Sequence, residues 1–459
     1  MEYGVISLVI PLLTIILAIV TRDVVVSLLG GIFAGELVVH NYQIDEAFVA
    51  IFNGIITLFA QGWITKTVLF ILLVGAIMRV LNESGAIERF VVWISQKASR
   101  VDSPKGSMLL AYFLGVVIFI ESSITALIAG VVAKPLCDKN GVSREKLAYI
   151  CDSTSAPICS LIPLNAWGAL LLGLIMTAIE SGVVEGSGVS LLLASIPYNF
   201  YAIFTLLIVL FVILKDWNIG AMRDAKAIAY INTNPQNQQK ANLYQMLLPL
   251  IVMVATVPIA LYITGKGDIF AGSGSTAVYY AVIVTLIFLY LYYIPSKVMK
   301  HKEYFDALYR GMGEMILLGV IIVLALLIGS VIKELDTARY LAELLSGTIP
   351  SLFIPLLIFL VSAITALSTG TSWGTFSIMM PIALSLGATM GLDLPLLIAA
   401  VISGGIFGDH ASPISDTTIV SSMAAECDHI EHVRTQIPYA LLGGAMAGVA
   451  FLLFGWILS

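Results

Sequence analysis

Apolar residues in this chain come in long blocks, not in the short beats of amphipathic surface elements. Windows long enough to cross a bilayer fall near residues 4–21, 23–40, 65–82, 107–133, 158–179, 189–214, 243–263, 276–294, 311–332, 351–367, 376–390, 394–407 and 436–458. Most approach the roughly 20 apolar residues that a spanning helix needs. Between them, residues 45–62, 84–99, 143–156, 338–346 and 409–432 mix apolar positions with charges or glycine. These predict amphipathic, re-entrant or broken helices. The largest polar stretch, 215–242, is rich in Asn and Gln and reads as a solvated linker between two halves.

The halves carry the same landmarks in the same order. Leu81-Asn82-Glu83-Ser84-Gly85-Ala86 resembles Ile332-Lys333-Glu334-Leu335-Asp336-Thr337. An amphipathic segment, an apolar run and a small polar cluster follow each: Glu121-Ser122-Ser123-Ile124-Thr125 in the first half, Thr369-Gly370-Thr371-Ser372-Trp373-Gly374-Thr375 in the second. Then come a proline (Pro135, Pro381), a glycine turn (Gly141, Gly391) and an acidic, hydroxyl-rich motif: Asp152-Ser153-Thr154-Ser155-Ala156-Pro157 and Asp409-His410-Ala411-Ser412-Pro413. The offset stays near 250 throughout, within about six residues. Lys215, Arg223, Lys226 and Lys240, and then Lys297, Lys300 and Lys302, mark cytoplasmic loops, because such loops carry the excess of Lys and Arg. Counting spans from there gives the halves opposite orientations, the inverted-repeat arrangement of many secondary transporters. The expected division is N-terminal helices over 1–62, a first repeat over 63–214, a cytoplasmic linker and connecting helix pair over 215–310, and a second repeat over 311–459.

Composition sharpens the class. The chain is 59% hydrophobic and only 11% charged, against roughly 25% charged in average soluble domains, which excludes a soluble globule. The expected fold is an all-α polytopic membrane protein of about 11–13 transmembrane helices with two inverted repeats, broken helices and re-entrant hairpins. The first apolar run follows Met-Glu-Tyr instead of a basic segment and reads as a retained helix. A net charge of −6 with no basic stripe argues against nucleic acid as a partner. Four cysteines without paired spacing argue against a disulfide framework or a transition-metal site. No glycine-rich stretch ends in Gly-Lys-Ser or Gly-Lys-Thr, so this chain alone should not drive transport with ATP. No cofactor and no enzymatic activity are expected, with an ion channel or an intramembrane hydrolase as remote alternatives.

A carboxylate at mid-bilayer costs about 2.5–3.5 kcal/mol, so Glu121, Asp152, Asp409 and Asp416 are the first candidates for chemistry. Each is flanked by Ser, Thr, Gly or Pro, which unwind a helix and expose carbonyl oxygens. Such backbone is tolerated in hydrocarbon only where it lines a cavity or packs on protein. Carbonyls, hydroxyls and one carboxylate suit a hard monovalent cation such as Na⁺, placed at the Asp152 or the Asp409 motif. Asp152 and its hydroxyl tail also suit a helix cap. Asp416 could cap a following helix while Asp409, Ser412 and Ser415 face a cavity. Glu121 reads either as a proton carrier or as a structural partner of Lys134. Asn165, Trp167 and Trp373 suit packing against an organic substrate, although interfacial tryptophans are common. Glu426-Cys427-Asp428-His429-Ile430-Glu431-His432 reads as a solvated amphipathic segment in preference to a metal site. The many glycines in apolar runs read as close-packing devices.

The Gly408-Asp409-His410-Ala411-Ser412-Pro413-Ile414-Ser415-Asp416-Thr417-Thr418 run, together with Asp152-Ser153-Thr154-Ser155-Ala156-Pro157, resembles the NhaC-type Na⁺/H⁺ antiporter family of the ion transporter superfamily, from about residue 60 to the end. The resemblance implies a multi-pass carrier of the bacterial inner membrane, with a scaffold domain and a mobile transport domain that move in an elevator-like manner. It also implies a site at broken helices and hairpin tips. The candidate ion or substrate ligands are then Ser122, Ser123, Asp152, Ser153, Ser155, Thr371, Ser372, Asp409, Ser412, Ser415 and Asp416, with Glu121 and Asp409 as proton-coupling candidates. The partners expected are Na⁺ and H⁺, the lipid bilayer and, as the assembly to test, a homodimer. The alternative is a Na⁺-coupled carrier or exchanger of a small organic solute such as an amino acid or carboxylate.

Overall fold

The computed structural model describes residues 3–21, 23–86, 89, 103–119, 122–227, 242–267, 272–337, 340, 349–413 and 415–458. Every regular element among them is helical. The first four helices are α1 (Ile6–Thr21), α2 (Val24–Val39), α3 (Ile44–Ala60) and α4 (Gly62–Glu83). A block of four follows: α5 (Pro104–Val117), α6 (Ser122–Lys139), α7 (Arg144–Leu161) and α8 (Ala166–Glu180). Next are α9 (Gly188–Ser195), α10 (Phe200–Lys215), α11 (Tyr244–Thr264), α12 (Gly274–Tyr293), α13 (His301–Glu314) and α14 (Ile316–Glu334). A second block of four, α15 (Ile354–Thr369), α16 (Ser372–Met390), α17 (Leu394–Ala411) and α18 (Asp416–Ala425), precedes the long α19 (His429–Ile457). Among the described residues nine helical segments are long and apolar enough to cross a membrane, and five shorter apolar ones accompany them.

Short-range chemistry sets these boundaries. Ser103, Ser143, Asn165, Asp393 and Asp428 each accept a hydrogen bond from a backbone N–H of the first turn of α5, α7, α8, α17 and α19, relieving donors that a helix start leaves orphaned. Gly370 ends α15 and Gly391 ends α16, both with left-handed backbone (φ 68° and 67°), a conformation open to glycine without a Cβ clash.

The two blocks repeat at one spacing. The first residues of α5, α6, α7 and α8 each lie 250 positions before those of α15, α16, α17 and α18. The turns between the second and third helices carry left-handed Gly141 and Gly391, again 250 apart. This corrects the pairing of the two acidic motifs. At that spacing Asp152 corresponds to Ile402 and Asp409 to Cys159, so one carboxylate sits mid-helix in α7 and the other in the last turn of α17. The blocks interlock, with α18 packed on α6 and α7 and α8 packed on α16.

Several windows change identity. The apolar run 107–133 is two helices interrupted after Val117, and 143–156, expected to be too polar to span, is the body of α7. Every residue from Lys146 to Ser160 in α7 is buried, so its polar side chains meet other helices instead of lipid. Most of 45–62 falls in α3, with Phe48, Phe52, Ile56 and Phe59 exposed, as a lipid-facing helix requires. Most of 84–99 and 338–346 lies outside the described residues.

Glycine packing is most acute between α15 and α17. A Cβ on Gly408 would stand 2.1 Å from the Ala363 carbonyl oxygen, and one on Gly404 2.3 Å from that of Phe359, the small-xxx-small pattern that lets helix backbones touch. Gly408→Ala is expected to destabilise the fold by about 1–3 kcal/mol through overpacking, seen as faster loss of monodisperse protein on heating in detergent. Gly313→Ala, whose Cβ would meet nothing within 4 Å, is the control and should not lose stability.

Candidate functional site

Each block contains two helix interruptions, and in each block they meet. In the first, the Asn165 side chain closes the junction. Its Oδ1 accepts from Gly168 N at 3.1 Å, capping α8, while its Nδ2 lies 2.9 Å from each of the carbonyl oxygens of Phe119, Cys159 and Ile162. One amide thus serves the start of α8, the end of α7 and the gap between α5 and α6. In the second block Ser412, which caps α17, donates its Oγ to the Leu367 carbonyl of α15 at 2.9 Å, and its N–H donates to Asp409 O at 3.0 Å.

The second junction holds a carboxylate. Asp409 is 1% exposed, and Ser372, the first residue of α16, donates its Oγ to Asp409 Oδ2 at 3.1 Å. Thr371 precedes it in extended conformation, and its carbonyl accepts from Thr375 Oγ1 at 3.0 Å. Helix ends, a left-handed glycine, two hydroxyls and one carboxylate therefore share a buried place. Ser415 occupies the N-cap position of α18 without a side-chain capping bond, and its Oγ lies 3.1 Å from Thr417 Oγ1. The side chain of Asp416, first residue of α18, and the whole of Glu121 lie outside the described residues. Lys134, weighed as a partner for Glu121, pairs with Glu426.

Asp152 is fully buried in a separate cluster. Its Oδ2 accepts from Gln436 Nε2 at 2.6 Å and from Thr418 Oγ1 at 3.1 Å, and His432 Nε2 stands 3.5 Å away. The same Gln436 Nε2 donates to the His410 carbonyl at 2.9 Å, and the Tyr201 hydroxyl lies 3.3 Å from His410 Nδ1. Helices α7, α10, α17, α18 and α19 all contribute. Asp152 is mid-helix, so its reading as a helix cap is replaced by this set of side-chain contacts. Ser153 and Ser155 are buried beside it, and Ser155 Oγ donates to the Asp152 main-chain oxygen at 3.1 Å, turned back onto its own helix. Ser122 is buried at the start of α6 and Ser123 is half-buried.

Trp167 and Trp373 come together edge to face, ring centroids 6.0 Å apart, and Phe376 meets Trp167 at 5.6 Å. Trp167 is 1% exposed, and both of these ring contacts are T-shaped.

The segment ending in His432 is the largest correction to the sequence reading. Expected as solvated, it turns its acidic residues outward, but His432 is fully buried against Asp152, with Gln436 one turn on. A signal was present. Spacings of three and four join His432, Gln436, Ala440, Gly443 and Ala447, so the stripe of small residues that marks a packed helix face runs back through both polar side chains. Tyr201 and Thr418 carried no such mark. Among the described residues no group of three or more His, Cys, Asp or Glu is arranged to hold a metal ion.

Similarity to known proteins agrees with this architecture. An uncharacterized protein of Haemophilus influenzae is 36% identical over 99% of this chain and 91% of its own length. The malate-2H⁺/Na⁺-lactate antiporter of Bacillus subtilis is 33% identical over 23% of each chain. The Neisseria gonorrhoeae MtrF structure, described as illuminating a class of antimetabolite efflux pumps, superposes with a TM-score of 0.62 over 90% of this chain and 85% of its own at 12% identity, a likeness of fold. Residues 158–456 match the Na⁺/H⁺ antiporter family, and that stretch carries Ser372, Asp409, the second set of helix breaks and the His432 face of α19. By that match the chain is a multi-pass membrane protein that belongs to the Na⁺/H⁺ antiporter family.

Proposed function

We propose that the protein exchanges Na⁺ for protons across the bacterial inner membrane, and that the exchange centre is Asp409 where α15–α16 and α17–α18 are interrupted. The observation that carries this reading is the buried Asp409 carboxylate, held by Ser372 at a junction of helix ends. Burying a carboxylate in such a place is costly, and a site that alternates between Na⁺ and H⁺ offsets that charge with either ion. Unwound carbonyls and neighbouring hydroxyls complete a hard-cation environment, with Ser412 three residues after Asp409 and Thr371 next to Ser372. Alternating access then comes from one repeat-built domain moving against the other. The Bacillus relative, named for Na⁺ and H⁺ together with malate and lactate, supports this pairing of ions and is the ground for an organic solute as the second reading.

The burial of Trp167 against Trp373 and Phe376 favours a bare ion over an organic solute. The test is purified protein in liposomes with a lumenal pH dye and no organic solute present. Added Na⁺ should move lumenal pH, and K⁺ should not. Folded protein that stays silent to Na⁺, and responds only when an amino acid or carboxylate is added, would replace antiport with Na⁺-coupled solute transport.

A further inference from the structure

We propose that the groove between α8–α9 and the α11–α12 hairpin binds an acyl chain of an anionic phospholipid whose phosphate is held at Lys66. The site is separate from the Asp409 centre and does not depend on which solute is exchanged.

The groove is a cavity of about 230 Å³ whose described lining is entirely apolar. Leu164 and Leu172 supply one wall, Leu193 of α9 a second, and Val254 and Pro258 of α11 with Val278 of α12 a third. A cavity without polar partners stays dry and accepts an apolar guest. Leu193 and Pro258, on different walls, are exposed. The groove therefore opens on the surface of two helices, α11 and α12, that are long and apolar enough to span the bilayer, where acyl chains are the solvent. At its inner end Leu164 belongs to the gap between α7 and α8 that Asn165 closes, so a chain seated there packs the hairpin against the first helix junction.

The charge lies at the outer end of the hairpin. Loops rich in lysine and arginine flank α11–α12 on the cytoplasmic side, so the turn between the two helices faces the outer leaflet. There half-buried Lys66 of α4 donates Nζ to Thr276 Oγ1 at 2.9 Å, one residue before Ala277, which lines the groove. Thr276 Oγ1 lies 2.8 Å from Ser273 Oγ, and the Ser273 N–H donates to Thr264 Oγ1 at 3.0 Å. One cation and three hydroxyls thus cross the end of the hairpin. No carboxylate pairs with Lys66 among the described residues. At the cytoplasmic end of the same helix the cations are matched, Arg79 by Glu83 and Glu314 and Arg310 by Glu83. A half-buried ammonium without a carboxylate is stabilised by an anion, and a lipid phosphate brings one attached to the chain that fills the groove. A zwitterionic headgroup would add a second cation with no described carboxylate to receive it.

The experiment offers purified protein in detergent equal amounts of dioleoylphosphatidylglycerol and dioleoylphosphatidylcholine, washes it by size exclusion and counts the retained lipid by native mass spectrometry. Wild type is expected to keep about one phosphatidylglycerol per chain, preferred over phosphatidylcholine by about fivefold, the effect of one lysine on an anionic lipid. Lys66→Gln should still retain lipid but lose the preference. Val278→Phe, which fills the groove, should retain neither lipid while eluting as wild type does; if it does not fold, Leu193→Trp closes the groove from its exposed rim and should give the same loss. Wild type that keeps no lipid, or keeps both equally, overturns the site without any variant. An unchanged preference in Lys66→Gln removes the phosphate from Lys66, and wild-type retention in the folded groove variant places the lipid elsewhere; either overturns the proposal. Displacement of phosphatidylglycerol by an equal amount of oleate would assign the groove to a free fatty acid and overturn the phospholipid.

Discussion

Asp409→Asn is expected to reduce Na⁺-driven proton flux by about 100-fold or more while leaving the protein monodisperse in detergent. The substitution keeps the shape of the side chain and an oxygen that can accept from Ser372 Oγ, now at 3.1 Å, so the junction between α16 and α17 has no reason to collapse. What it removes is one negative charge from a place that is 1% exposed. At an effective dielectric of about 20, a unit charge at contact distance contributes about 4 kcal/mol to a bound cation, and each 1.4 kcal/mol is tenfold in affinity. Ser372→Ala removes only a hydroxyl and should weaken Na⁺ by about tenfold, in line with about 1.5 kcal/mol for a hydrogen bond to a charged group. Na⁺ titration calorimetry in detergent, beside liposome flux, separates binding from turnover. Undiminished flux in Asp409→Asn would remove the carboxylate from the exchange centre.

The second large effect is on the fold. Asn165→Ala is expected to cost about 3 kcal/mol or more, because one side chain serves three carbonyls and a helix start. Loss of the cap on Gly168 N alone costs about 1 kcal/mol, and leaving a buried carbonyl unpaired costs about 1–3 kcal/mol. Phe119, Cys159 and Ile162 share the two hydrogens of Nδ2, and of the three only Phe119 keeps a side-chain donor among the bonds described, Cys159 Sγ at 3.5 Å. Asn165→Asp is the informative companion. It retains an acceptor for Gly168 N but turns an anion toward three carbonyl oxygens, so it should be no better than alanine if the donors matter and near wild type if only the cap does. Thermal unfolding followed by size exclusion reads both, and a wild-type midpoint for Asn165→Ala would show that the carbonyls are satisfied without it.

Much of this architecture is written locally in the chain. Interruptions after Val117, Leu161, Thr369 and Ala411 fall beside Gly, Pro, Ser and Asn because those residues cap or break helices wherever they occur. The repeat was legible for the same reason: caps and turn glycines hold the spacing of 250 that the helices then follow. The acidic motifs misled because composition resembles composition, whereas position on a helix is a matter of register. Asp152 and Asp409 look alike as letters and differ by seven residues within their blocks.

The length and apolarity of its runs determine that this chain is a helical membrane protein, because burying a helical backbone in lipid depends on consecutive residues alone. The same local rules place the breaks and put Asp409 beside hydroxyls of its own loop. The meeting of Asp152 with Thr418, His432 and Gln436 belongs to the tertiary structure, since these residues lie more than 260 positions from it. So does the turning of His432 inward from a segment whose neighbours are acidic and exposed. A charge pattern averages over a helix, but burial is decided one face at a time by which helix packs against it.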